Sequence, residues 1–92
     1  MIYLSGPMTG IPDYNFPSFN AAADKLRDQG YAVANPADNG GIDLSWEENM
    51  RNALRMLLEC DEIAMLPGWE HSRGARFEFH IAMALGMKVR YS

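Results

Sequence analysis

The chain has 92 residues, 48 % of them apolar and 22 % charged, and a net charge of −4. That is the balance of a globular protein rather than a disordered or fibrous one, and without a basic stripe it excludes a binder of nucleic-acid polymers or membrane surfaces. A lone cysteine, Cys60, excludes an internal disulfide, and no run approaches the ~20 apolar residues of a membrane span. One cytoplasmic domain over residues 1–92 is therefore expected, with a partner subunit adding buried surface to so short a chain.

MIYLSG opens the chain as an apolar run closed by glycine, too short for a helix, and predicts a buried strand. GPMTGIPDYNFP is a loop, after which Pro17 stands where a first helical turn tolerates proline. Phe19, Ala22, Ala23 and Leu26 then recur at helical spacing until Gly30 stops the run. YAVANP, residues 31–36, predicts a second strand, and ADNGGIDL a polar loop. Ser45 and Glu48 form a capping box, and Trp46, Met50, Ala53, Leu54 and Leu57 mark the inward face of a second helix. A third strand runs from about Asp61 to Leu66, a third helix from its Ser72 cap to Gly86, and MKVRY closes as a fourth strand.

Strict alternation of strands and helices forces parallel pairing through right-handed crossovers. The expected fold is α/β: a three-layer sandwich with a short parallel sheet of about four strands and helices on both faces, Rossmann-like or flavodoxin-like. Ligands in such sheets sit beyond the carboxyl ends of the strands, which places the pocket among the loops after strands one, two and three.

Those loops offer three candidate features. Gly6, Pro7, Met8, Thr9 and Gly10 form a turn whose backbone N–H groups could receive an anion, or which simply redirects the chain. Ser72 and Gly74 lie at a helix start, where unpaired N–H groups and the helix dipole favour a phosphate, with Arg73 and Arg76 close by; ordinary capping explains the same residues. Trp69, in the loop before them, is an aromatic that could stack on a base. His71 and His80 lack metal-ligand spacing, so neither metal nor cofactor is expected.

Glu78 is the sharpest item. It precedes Ile81, Ala82 and Leu85 by three, four and seven places, on the apolar face of the third helix. Burying a carboxylate costs several kcal/mol unless it is compensated. Two readings stay open: a nucleophile or base whose ionised form the helix dipole favours, or an ion pair with Arg51, Arg55 or Arg73. Tyr3 in the first strand could supply a hydroxyl to that carboxylate or merely pack.

MIYLSGPMTG, CDEIAMLPGW and SRGARFEFHIAMALG, in this order, resemble the superfamily of nucleoside 2-deoxyribosyltransferases and 2'-deoxynucleoside 5'-monophosphate N-glycosidases, nearest to its small phage and bacterial members. The resemblance covers nearly the whole chain. It implies that Glu78 attacks the anomeric carbon of the sugar and displaces the base, that water or a second base then takes the sugar, and that Tyr3 orients the nucleophile. Ser72 stands where the free-nucleoside transferases carry an aspartate and the monophosphate hydrolases a phosphate-binding serine, which favours a 5'-nucleotide. The family's aspartate on the second helix, eight residues before Asp61, is replaced here by Ala53.

Losing such a general acid costs a factor of about 100 to 10,000, so the resemblance implies an impaired enzyme, a binder, or an altered chain. The expected activity is hydrolysis of a (2'-deoxy)nucleoside 5'-monophosphate by an N-glycosidase working as a homodimer or higher homo-oligomer with its pocket near the interface. The alternatives are a deoxyribosyltransferase, an NAD-type glycohydrolase and a silent nucleotide-binding module.

Overall fold

The computed structural model describes residues 1–39 and 44–92; residues 40–43 of the expected ADNGGIDL loop lie outside them. Four strands and three α-helices alternate: β1 (Ile2–Ser5), α1 (Phe16–Asp28), β2 (Val33–Ala34), α2 (Trp46–Leu58), β3 (Glu62–Met65), α3 (Arg73–Ala84) and β4 (Lys88–Tyr91). The sheet is parallel throughout in the order β2-β1-β3-β4, with Tyr3 opposite Ala34 and Ile63, and Met65 opposite Tyr91. The chain leaves β1 toward one edge and returns to build the other, so the strand order reverses between β1 and β3, where open α/β sheets bind their ligands.

The two faces follow from the two-residue period of the strands. Ile2 and Leu4 of β1 and Ala64 of β3, with Leu66 just after it, pack against Phe19, Ala23 and Leu26 of α1. Tyr3, Ile63 and Met65 point the other way, onto Leu57 of α2 and Ala75 and Ala82 of α3. α1 therefore covers one face and α2 with α3 the other, which is the expected three-layer arrangement.

The helix ends are set locally. Ser45 Oγ accepts from Glu48 N at 3.1 Å while Ser45 N donates to Glu48 Oε1 at 3.2 Å, the reciprocal capping box expected for α2. α1 and α3 end alike. Gly30 and Gly86 adopt positive φ, and the next N–H bonds back six residues inclusive, Tyr31 to Leu26 O and Met87 to Ala82 O, the Schellman arrangement glycine makes accessible.

Three differences from the sequence reading have local causes. The second strand is two residues long rather than six, because the Tyr31 N–H is used by the α1 terminus and the Asn35 side chain, accepting from Ala37 N and donating to Asn20 Oδ1, turns the chain before Pro36. Short 3₁₀ turns occupy Pro36–Asn39 and Trp69–His71, and a tight turn with left-handed residues spans Pro12–Asn15, where loops were expected. On α3 the buried stripe is Ala75, Glu78 and Ala82; Ile81 is half-buried and Leu85 exposed, because Leu85 is the cap where the helix ends. No helix among the described residues is long and apolar enough to cross a membrane.

Candidate active site

Beyond the carboxyl end of β1 lies a cavity of about 330 Å³, within the range of small-molecule sites. The β1 side supplies Tyr3, Ser5, Gly6, Met8 and Thr9; α2 supplies Trp46, Asn49, Met50, Asn52, Ala53 and Met56; and the start of α3 supplies Ser72, Gly74, Ala75 and Glu78. Leu4, Tyr14, Phe16, Phe19, Pro36 and Leu44 complete the walls.

Glu78 is 6 % exposed and both its oxygens are held by β1. The Tyr3 hydroxyl donates to Oε2 at 2.5 Å, and the Ser5 hydroxyl donates to Oε1 at 2.7 Å. Strand alternation explains the pair: residues 3 and 5 share the face that meets α3. Ala75 and Ala82, one turn to either side of Glu78, are small enough to let the helix lie close to the strand.

No arginine takes part. Arg55 donates to Asn52 Oδ1 at 2.8 Å, the Arg73 guanidinium lies over the Trp46 ring at 3.8 Å, and Arg51 is exposed. Among the described residues Glu78 has no ion pair. Its inward position is therefore compensated by hydroxyl donors alone.

Burial raises the Glu78 pKa from the ordinary 4.5 to about 7, against the opposing pull of the Tyr3 and Ser5 hydrogen bonds. Desolvation outweighs whatever the helix dipole adds in favour of the ionised form, since Glu78 is the sixth residue of α3, beyond the first turn where the dipole acts most. Burial, and secondarily the charge of Glu78, drives the Tyr3 pKa well above 10, so its hydroxyl keeps its proton and remains a donor.

At the other end of the cavity, Ser72 Oγ accepts from Ala75 N at 3.2 Å, which leaves its hydroxyl proton free to donate outward. The N–H groups of Arg73 and Gly74 belong to the first turn of α3, before intrahelical pairing begins, and no hydrogen bond of theirs occurs among the described residues. A half-buried hydroxyl and the N–H of Gly74 thus border the cavity at a helix N-terminus, with the N–H of Arg73 beside them, a geometry suited to an anion.

Of the residues expected at the site, Glu78, Tyr3, Ala53, Gly6, Met8, Thr9, Ser72 and Gly74 line this cavity, and Pro7, Gly10, Trp69 and Arg73 do not. Trp69 is half-buried in an aromatic stack, 4.7 Å from the Phe79 ring and 6.3 Å from Tyr91, because the 3₁₀ turn it begins folds it back onto α3 and β4. Pro7 lies under the Gly68 turn and accepts a bond from Asn15 at its carbonyl, and Gly10 bends the loop away at positive φ. Arg73 is carried outward to Trp46.

Sequence reasoning missed Ser5, although its two-residue offset from Tyr3 carried the signal. It also missed Tyr14, which lines the cavity from within a run of three left-handed residues, Asp13, Tyr14 and Asn15. For Tyr14 this costs of order 1 kcal/mol, and such strain gathers at functional sites. Among the described residues no group of three or more His, Cys, Asp and Glu side chains could hold a metal ion.

Comparison with known proteins adds three findings. No curated protein matches the chain. Among solved structures it is similar to a 2-desoxiribosyltransferase from Leishmania mexicana, with a TM-score of 0.75 and 24 % identity over 98 % of this chain. The match spans 61 % of that protein, so this chain covers about three fifths of its length. The similarity carries the fold, with its four-stranded parallel sheet flanked by helices. Residues 1–91 match the family described as Domain of unknown function (DUF4406), and the chain, with the fold of a nucleoside 2-deoxyribosyltransferase, belongs to that family.

Proposed function

We propose that the chain cleaves the N-glycosidic bond of a (2'-deoxy)nucleoside 5'-monophosphate, with Glu78 as nucleophile. The observation that carries this reading is the buried carboxyl of Glu78, open to a ligand-sized cavity and held by two hydroxyl donors. In its ionised form one Glu78 oxygen attacks the anomeric carbon. The bond from that carbon to the base nitrogen breaks, the base leaves with the electron pair and takes a proton, and a sugar ester of Glu78 remains. Water then adds to the same carbon and gives up a proton, the ester bond breaks back to the carboxylate, and the sugar phosphate departs with overall retention.

Tyr3 and Ser5 have positioning roles: their hydrogen bonds fix both carboxyl oxygens and favour the charged form. The cluster of Ser72 and the Arg73 and Gly74 N–H groups would take the 5'-phosphate, while Gly6, Met8 and Thr9 border the sugar. If a second base replaces water in the second step, the same residues perform a deoxyribosyl transfer, the activity named for the Leishmania protein. An NAD-type glycohydrolase would use the same nucleophile on another leaving base.

Ala53 favours one reading of a different class. It lines the cavity, and Glu78 is the only carboxyl among the described lining residues, so none stands ready to protonate the leaving base. A nucleotide-binding module without turnover would look like this. A homodimer also belongs to the proposal, supported by the exposed apolar side chains of Leu58, Met83 and Leu85 on so small a chain. Sedimentation showing a monomer at micromolar concentration would remove that part.

The deciding experiment is mass-spectrometric detection of free base after mixing the four 2'-deoxynucleoside 5'-monophosphates with this protein and with its Ala53→Asp variant. Base release by either protein supports the glycosidase. Silence from both, with nucleotides still raising the melting temperature, gives the binding module.

A further inference from the structure

Outside the cavity mouth, Trp46, Arg73, Arg76, Phe77 and His80 line a second, shallower groove of about 380 Å³. Arg73, Arg76, Phe77 and His80 lie on consecutive turns of one exposed face of α3. No carboxylate lines the groove, and the ion pairs among the described residues involve Met1, Arg27 and Arg90 but neither Arg73 nor Arg76. In a chain of net charge −4, two unpaired guanidinium groups beside two aromatic rings form a local positive field that surface composition alone does not call for.

The groove adjoins the cavity. Trp46 lines both, and the first turn of α3 is the partition between them: Ser72 and Gly74 face the cavity, Arg73 the groove. The Arg73 guanidinium lies 3.8 Å above the Trp46 ring, which fixes its plane while leaving its edge donors open. A phosphate held at this helix start would border both the cavity and the groove.

We propose that the groove binds a second phosphate, so that the preferred substrate carries a phosphoanhydride beyond its 5'-phosphate. Arg73 and Arg76 hold that phosphate through charge-assisted hydrogen bonds, and Phe77, 46 % exposed at the groove, is free to stack on a second base. This rests on the placement of the 5'-phosphate given under Proposed function, and it changes the substrate class from a nucleoside monophosphate to a nucleoside diphosphate or a pyrophosphate-linked dinucleotide.

The test measures binding by calorimetry in the Glu78→Gln protein, which cannot turn substrate over. The ligands are the four 2'-deoxynucleoside 5'-monophosphates, their 5'-diphosphates and the corresponding pyrophosphate-linked dinucleosides. At least one diphosphate should bind about 10- to 100-fold more tightly than its monophosphate, the effect of an added hydrogen bond to a charged group. Arg76→Ala, a change on an exposed helix surface, should remove most of that gain and leave monophosphate binding unchanged.

A dinucleoside tighter than the diphosphate, with the difference lost in Phe77→Ala, identifies the dinucleotide as the source; equal affinities identify the diphosphate. Monophosphates and diphosphates binding equally, or Arg76→Ala weakening both alike, overturns the second-phosphate site and leaves the monophosphate reading standing. Diphosphates that bind through Arg76 where monophosphates do not bind at all support the site and overturn the monophosphate reading. If no nucleotide binds, both fall.

Discussion

The Tyr3 hydroxyl stands 2.5 Å from Glu78 Oε2, a bond between the first strand and the third helix across 75 positions of sequence. It acts on the charge of Glu78 from inside the core, where hydrogen bonds are electrostatically strong. Burial holds the Glu78 pKa near 7, and this bond is the larger of the two hydrogen-bond effects pulling it down. Tyr3→Phe therefore moves the Glu78 pKa further up. Activity should rise with pH through about 7 in the natural protein, as Glu78 ionises. In Tyr3→Phe the midpoint should lie higher, with a loss at pH 7 that shrinks at pH 9. A uniform loss at every pH in the rate profile would mean that Tyr3 acts by shape alone.

The same burial makes stability depend on pH. The folded-state pKa of Glu78 is raised above its unfolded value, so the native fold binds this proton more tightly than the unfolded chain does. Its contribution is fully present below about 4.5 and is lost as pH rises through about 7. At pH 8 the charged carboxyl costs roughly 3 kcal/mol relative to pH 4. Glu78→Gln keeps the shape and removes the charge. Its denaturant midpoint should exceed that of the natural protein at pH 8 and match it near pH 4.5. A variant less stable at both values would show the carboxyl to be a structural partner of β1 rather than a strained functional group.

Gly6 makes a separate, purely steric prediction. A Cβ there would sit 2.8 Å from Leu66 Cβ and 3.3 Å from its Cδ1. Leu66 cannot easily yield, since it is buried and its N–H is bonded to Ser5 O at 2.8 Å. Gly6→Ala should cost about 1–3 kcal/mol in urea unfolding, as overpacked cores do. It should also disturb activity, because Ser5, next in the chain, holds Glu78. Unchanged stability would mean that β1 and the end of β3 separate more readily than their pairing suggests.

Much of the site was legible because local periodicity wrote it. The inward side of Glu78 follows from helical spacing and the start of α2 from the Ser45–Glu48 box; strand alternation offered the shared face of Tyr3 and Ser5 as well, although Ser5 went unread. The other unread parts depend on contacts beyond the local period. Nothing local says that Trp69 will turn under Phe79 and Tyr91 rather than toward the cavity, nor that Arg73 will lie on Trp46, 27 positions away. The left-handed conformation of Tyr14, between Asp13 and Asn15, defies propensity, and a bond from Asn15 Nδ2 to Pro7 O at 3.0 Å, eight positions back, helps hold it. Asn35, read as part of the second strand, instead turns the chain by accepting from Ala37 N, and its bond to Asn20 required α1 to be in place.

Ala53→Asp tests whether the cavity is a complete active site lacking one proton donor. Ala53 is half-buried on α2 and faces the same cavity as Glu78, so an aspartate there has access to solvent and to a leaving base. Supplying the missing acid should raise the rate of base release by about 100- to 10,000-fold. It also introduces a second carboxyl near the first. Like charges sharing a site titrate as a pair, and the first ionisation makes the second harder. The rate of the variant should therefore be bell-shaped in pH, falling on the acid side as the nucleophile is protonated and on the alkaline side as the donor loses its proton. A rate gain without the alkaline fall would mean that the new carboxylate positions the base rather than protonating it. No gain at any pH, with nucleotides still raising the melting temperature of both proteins, would show that the pocket binds without catalysing.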